Sequence, residues 1–410
     1  MVATAFFAAA CGAKTGLEVP DAQVDAGPDA SVPCVDVPLD GGVIDVPLAI
    51  PVQIGRADVV LDIDTTASMG QEIAQIRRNL RDRIVPGIRR AIPDAQIGVA
   101  VFADFPEGNC GSRAHGDLPF RLVLPVTGDI SRVQTAVQAI ELGNGSDEPE
   151  SQVESLYQLA TGEGIGRYVP PSVGCPTGGF GYPCFRPDAL PIILLFTDAP
   201  FHNGPDNAFP YDHPDACPRI RPEPHNYAQA VAALNAADIR VIGLYSGPPG
   251  EQGLAHLRRL AIDTGATAGG NPLVFDIGTR GERLSETVIE AITTLADVIE
   301  FEAVDTQLND VDRSDTVDPR DFVDAVVPLR AEPPEGVREI DVAAGAFRGV
   351  RTGTRLVFQL RLRNDAVAPG VGPQRFLLEV VFRADLRTRI GALILEIVVP
   401  GADGTGCAPR

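Results

Sequence analysis

The stretch VVLDIDTTASMG, residues 59–70, carries Asp62, Asp64, Thr65, Thr66 and Ser68 at the end of an apolar run. Side-chain oxygens packed this densely suit two chemistries. Asp62, Asp64 and Thr66 have the Asp-x-Asp-x-Thr spacing of an aspartyl nucleophile and its general acid in phosphoryl transfer. Asp64, Thr66 and Ser68 have the Asp-x-Thr-x-Ser spacing of a loop that turns carboxylate and hydroxyl oxygens toward a hard divalent cation. Phosphoryl transfer also needs a cation, usually a lysine, beside the attacked group. Lys14 is the sole lysine, and no Asp-Asp pair occurs that would hold magnesium late in a sheet. The residues favour the cation loop.

Further acids stand at Asp147 and Glu150 in GNGSDEPESQVESL (143–156), and at Asp198 in LLFTDAPFH (194–202). To meet Asp64, these loops must be carried to one edge by the segments between them. Strand patterns fall at 58–64, 96–103, 120–127, 191–198, 239–246 and 272–277. Helical patterns fall at 70–91, 129–141, 149–160, 226–237, 253–263 and 281–300. Several strands are continuous apolar runs, as expected when helices cover both faces of a sheet. The alternation predicts a doubly wound, mostly parallel α/β sheet over 57–300, with ligands at the carboxyl ends of its strands. The acidic stretches fall at those ends.

Asp64-Thr65-Thr66-Ala67-Ser68-Met69 resembles the metal-ion-dependent adhesion site of von Willebrand factor A domains, usually written DxSxS. Asp147-Glu148-Pro149-Glu150 is similar to the D-x-P-E of integrin β-subunit I-like domains, where the Glu ligates the central metal. Thr197-Asp198-Ala199 with its polar loop, and GVAVFADFPE (98–107), resemble the same domains, so the likeness spans 57–300. It implies one Mg²⁺, Mn²⁺ or Ca²⁺ held through Asp64, Thr66, Ser68, Glu150 and Asp198. It also implies a coordination position left open for the carboxylate of a protein partner, so that metal and partner binding are coupled. The chain departs from that pattern in places. Where the integrin β pattern has two acids after Ser-Met, Gly70-Gln71-Glu72 offers Glu72 alone. Asp147 and Pro149 match part of a flanking site, but Gly145 stands where its Asn would be. Asp62 is an extra acid that could support the site from behind. The competing phosphoryl-transfer spacing resembles motif I of the haloacid dehalogenase superfamily, without that family's lysine. His202, His213 and His225 with Cys217 match no common zinc spacing and read as loop residues.

With 55 acidic against 34 basic residues, a net charge of −21 argues against nucleic acid as a partner. The chain is 44% hydrophobic, enough for real cores, and long enough for two domains. Residues 1–11 read as the end of a lipoprotein-type signal, since Ala8-Ala9-Ala10-Cys11-Gly12 resembles a bacterial lipobox that would lipidate Cys11. Residues 12–42 read as a solvated, disordered tether. Strand 43–56 is expected to join a β-sandwich built mainly from the period-two runs of 301–405. This is the topology of integrin β subunits, whose I-like domain is inserted into a sandwich. Six cysteines beyond Cys11 fit an oxidising compartment. Cys175 and Cys184 share a Gly/Pro-dense loop (162–191) expected to shape the partner surface. Six cysteines allow fifteen connectivities, and only the local Cys175–Cys184 pair follows from spacing; Cys34–Cys407, which bracket the body, and Cys110–Cys217 are the expected completion of the set. The reading is a cell-envelope protein, lipid-anchored or secreted, touching membrane only through that anchor. It is not an enzyme. A structural envelope component with a stabilising metal is the alternative.

Overall fold

A computed structural model describes residues 32–212, 217, 220–311, 317–365 and 367–407. The signal-like segment 1–11 with Cys11, the tether to residue 31, and His213 lie outside these. The remainder of the expected tether is not loose. It forms β1 (Cys34–Asp36), held at one end by a disulfide to Cys407.

After β2 (Val43–Pro51), the α/β unit begins with β3 (Arg56–Asp64), α1 (Gly70–Asn79), α2 (Val85–Ala91) and β4 (Asp94–Phe102). It continues through β5 (Arg121–Thr127), α3 (Ile130–Gln138), α4 (Gln152–Thr161) and β6 (Leu190–Thr197). Then follow α5 (Tyr227–Ala236), β7 (Arg240–Tyr245) and α6 (Gln252–Asp263). The hairpin β8 (Thr267–Ala268) and β9 (Asn271–Pro272), β10 (Val274–Asp276) and α7 (Leu284–Val298) close it. The sheet order is β10-β7-β6-β3-β4-β5. All neighbours are parallel except β5, which is antiparallel to β4.

Alternation along the central strands divides the core. Val59, Leu61 and Ile63 pack with α1, α2, α3 and α7, whereas Val60, Ile193 and Leu195 pack with α4, α5 and α6. Residues 58, 60, 62 and 64 share the second face, so Asp62 points at α4. The single helix expected over 70–91 is broken by a π-turn at Leu80–Ile84. Pro86 explains it. Proline has no N–H to give the Asp82 carbonyl and its ring would strike that carbonyl, and a widened turn relieves both.

Beyond α7 come β11 (Glu300–Asp310), β12 (Val323–Glu332), β13 (Glu339–Asp341) and β14 (Ala346–Arg351). They are followed by β15 (Arg355–Arg363), β16 (Gln374–Ala384) and β17 (Thr388–Val399). These form a sheet β1-β17-β16-β11-β14-β13 and a second sheet β12-β15-β2. β2, which precedes the α/β unit, pairs along its whole length with β15. The α/β unit is therefore inserted between β2 and β11. Phe358 of the smaller sheet meets Phe347 and Phe382 of the larger, with ring centroids 5.0 and 5.5 Å apart. β1 runs parallel to β17, a departure from the antiparallel pattern expected of this region.

The Gly/Pro-dense loop braces the two units. Arg186 bonds Asp58 at 2.7 Å and Asp94 at 3.0 Å, at the amino ends of β3 and β4. The Asp188 carbonyl accepts the Arg389 N–H of β17 at 3.0 Å. This half of the loop thus lies at the end of the sheet opposite the acidic edge, away from the surface it was expected to shape.

Candidate metal centre

The Asp64 side chain folds back on its own loop. Its Oδ1 accepts the Thr66 N–H at 2.9 Å and the Thr66 hydroxyl at 2.7 Å. An aspartate two residues ahead of a donor favours this turn, and it swings the hydroxyls of Thr66 and Ser68 to one side. Their oxygens lie 3.3 Å apart. Ser68 Oγ donates to Asp198 Oδ1 at 3.2 Å, across 130 residues of sequence. Thr197, the last residue of β6, donates to Asp64 Oδ2 at 2.8 Å and accepts from the Gln152 amide at 2.9 Å.

Glu150 reaches the same place by a backbone device. Its N–H bonds the Pro200 carbonyl at 3.0 Å and its carbonyl takes the His202 N–H at 2.8 Å, pinning the loop before α4 to the loop after β6. Glu150 is 3% exposed, and its Oε2 receives no hydrogen bond. A Cβ on Gly145 would stand 2.7 Å from Glu150 Oε1 and 3.1 Å from Thr66 Cγ2, and Gly145 has φ +61°. The glycine that displaces the expected asparagine is thus required both by its backbone conformation and by the close approach of Glu150. Asp117 holds this loop, accepting N–H groups from Ser112, Asn144 and Gly145 at 2.6, 3.0 and 3.1 Å.

Asp64, Thr66, Ser68, Glu150 and Asp198 therefore converge. Burial, then the Asp198 charge, pushes Asp64 up to about 7. Burial, then the Asp64 charge, holds Glu150 well above the carboxylate range, and burial raises Asp198. Carboxylates that resist ionising together, one with an oxygen no group satisfies, fit a divalent cation, and an all-oxygen donor set fits a hard one. Ser68 is exposed and Asp198 half-buried, so the site opens to solvent on their side.

The supporting acids separate from this group. Asp62 is fully buried and accepts the Ser155 hydroxyl on both oxygens at 2.9 and 3.0 Å. Burial pushes it up to about 7. It neither caps α1 nor touches the loop hydroxyls. Glu72 is buried with Oε2 free of hydrogen bonds, pushed up to about 6 by burial and by Asp198 and Glu282. Asp147 turns instead toward His202, with Nε2 to Oδ2 at 3.2 Å. His225 pairs with buried Glu154 at 3.0 Å and does not join His202. The sequence reading marked Thr197 only as the flank of Asp198 in Thr197-Asp198-Ala199, and it did not single out Asp104 or Asp117. Their partners lie on other loops, and no local spacing marks them.

The expected disulfides are all formed: Cys34–Cys407, Cys110–Cys217 and Cys175–Cys184.

No family model matches the chain, and no curated protein matches it. A solved structure described as von Willebrand factor type A from Catenulispora acidiphila is similar, with 12% identity and a TM-score of 0.35, covering 90% of this chain and 72% of that one.

Proposed function

We propose that the chain is a metal-dependent binding protein rather than an enzyme. A divalent cation at the carboxyl edge of the sheet would bind an acidic group of a protein partner. The observation that carries this reading is Glu150, a buried carboxylate whose Oε2 no group satisfies, set against the Asp64–Thr66 turn by backbone pairing with residues 200–202. An anion in that position costs several kcal/mol unless a positive charge answers it. Asp64, Thr66, Ser68, Glu150 and Asp198 would hold an Mg²⁺, Mn²⁺ or Ca²⁺ ion, which supplies that charge and an acceptor position for a carboxylate. Asp64, Thr66 and Glu150 make the buried floor, while Ser68 and Asp198 make the open rim from which a partner's acidic side chain approaches.

The two C-terminal sheets are read as a β-sandwich that carries the site. The three disulfides suit an oxidising, extracytoplasmic setting, secreted or lipid-anchored. No helix among the described residues is long and apolar enough to cross a membrane. The phosphoryl-transfer alternative loses support here, because Asp62, its nucleophile, is 0% exposed and bonded to Ser155. The structural-component alternative differs in one respect, access of a carboxylate to the ion. Acetate proton relaxation in the presence of Mn²⁺-loaded protein tests that. Enhancement that disappears in Glu150→Ala supports partner binding. Tight Mn²⁺ binding with unaffected acetate supports a structural ion.

A further inference from the structure

A second group of ligand-type side chains lies behind Glu150, and the function proposed above makes no use of it. Asp104 follows β4, Asp147 precedes α4, His202 follows β6, and Cys217 lies further along that last loop. One ligand atom from each lies within 4.8 Å of all the others. His202 Nε2 is 3.2 Å from both Asp104 Oδ2 and Asp147 Oδ2. Cys217 Sγ is 3.5 Å from Asp147 Oδ2 and 3.7 Å from His202 Nε2. Ligands bonded at about 2.0–2.3 Å around one tetrahedral ion stand at separations of this kind.

The outward-facing atoms of the group are tied off by residues outside it, while the inward ones meet only one another. His202 Nδ1 donates to the Phe209 carbonyl at 2.7 Å, which fixes the ring and leaves Nε2 facing the acids. Asp104 Oδ1 accepts the Tyr211 hydroxyl and the Phe105 N–H, each at 2.7 Å. Asp104 Oδ2 and Asp147 Oδ1 are buried and receive no hydrogen bond, and Asp104 is 0% exposed. Outer hydrogen bonds that orient a histidine and a carboxylate while their inner atoms face only other ligand-type atoms are the usual support of a metal site. A nitrogen and a sulfur beside two oxygens suit a Zn²⁺-class ion rather than the hard cation of the central site. Cys217, however, is bonded to Cys110, and only a thiolate is a good ligand.

We propose that Asp104, Asp147, His202 and Cys217 form a redox-gated site for a Zn²⁺-class ion, open to the metal only while Cys217 is not bonded to Cys110. In the dithiol state the Cys217 thiol gives its proton to solvent as the sulfur–metal bond forms. Closure needs an oxidant of the disulfide class. The Cys110–Cys217 bond forms and the sulfur–metal bond breaks. Two electrons and the Cys110 proton pass to the oxidant, whose own disulfide opens to one thiol and one thiolate, the thiolate taking its proton from solvent, and the ion leaves. Metal and disulfide are thus alternative locks on the same loop.

Cys110→Ser leaves Cys217 a free thiol without added reductant, and Co²⁺ is a spectroscopic stand-in for Zn²⁺. The full-length Cys110→Ser protein should show a near-ultraviolet thiolate-to-cobalt band that Zn²⁺ displaces, and the disulfide-bonded wild type should show none. Adding His202→Ala should weaken Co²⁺ binding by more than the roughly 10–100-fold that loss of an outer-shell partner costs. Adding Glu150→Ala should leave the band in place, even where it removes Mg²⁺ binding at the central site. A missing band in folded Cys110→Ser, or a band indifferent to His202→Ala, overturns the proposal. Wild-type protein supplies a second test that needs no cysteine variant. Zn²⁺ should slow closure of Cys110–Cys217 during oxidative refolding and should not do so in His202→Ala, and equal rates with and without Zn²⁺ overturn it.

Discussion

Asp64→Asn removes one charge from the floor of the central site while keeping its shape. The amide oxygen can still accept from Thr66 N–H and Oγ1, and the amide nitrogen takes the place of the oxygen facing Thr197. The carboxyl titrates near 7 in the fold rather than at the ordinary 3.8. At about 1.36 kcal/mol per pH unit, that sets a ceiling of about 4 kcal/mol on the cost of ionising it without a metal. An acid raised in this way contributes stability that is complete below its unfolded value and is lost as pH rises through its folded value. The neutral variant does not lose it. Loss of the bond that the Thr197 hydroxyl donates to Oδ2 offsets about 1–2 kcal/mol. In chelator at pH 8, Asp64→Asn should therefore be more stable than wild type by about 1–3 kcal/mol, and the gain should vanish below pH 4. Mg²⁺ at a hundredfold its Kd should return about 2.7 kcal/mol to wild type and nothing to the variant. Urea denaturation in chelator and in Mg²⁺, at pH 4 and 8, reads both effects. A variant less stable than wild type in chelator at pH 8, or stabilised equally by Mg²⁺, refutes the reasoning.

Protons and the central cation should compete, because Asp64, Glu150 and Asp198 all titrate above their ordinary values. Mg²⁺ affinity is expected to fall between pH 8 and pH 6 by roughly tenfold per unit for each proton displaced, and a flat calorimetric profile would contradict this. Thr197→Val cuts the bond that orients Asp64 Oδ2. It should weaken Mg²⁺ about 10–100-fold and cost about 1–3 kcal/mol of stability through the stranded Gln152 amide, read by titration and denaturation. Arg186→Ala leaves Asp58, 0% exposed, without its cation. A loss of about 3–5 kcal/mol follows, with Mg²⁺ affinity unchanged because Arg186 sits at the opposite end of the sheet.

Much of the α/β unit was legible because its signals are local. Leu190–Thr197 and Arg56–Asp64 are apolar enough to read as covered strands without any partner in view. The Asp64-x-Thr66-x-Ser68 turn is likewise written in adjacent residues. The second unit was less legible. Glu300–Asp310 is mostly polar, with Phe301 and Val304 its only fully buried apolar residues, and Ala346–Arg351 is short and interrupted by Gly349, so neither carries a strong strand pattern of its own. The start of α4 was placed too early, at 149 instead of 152, because Glu150 is drawn into a bridge with Phe201. That pairing spans many residues and leaves no local pattern. The same holds for the group around His202. Its ligand atoms come from loops far apart in sequence, so a search for zinc spacings could not find it.

The most direct measurement is calorimetric titration of Mg²⁺ and Mn²⁺ into the disulfide-bonded protein, with Asp64→Ala and Glu150→Ala beside wild type. Binding at one site in wild type, lost in both variants, is the predicted result, since Asp64 and Glu150 come from separate loops and both would hold the one ion. Wild-type binding that survives Glu150→Ala, or no binding at all, would contradict it.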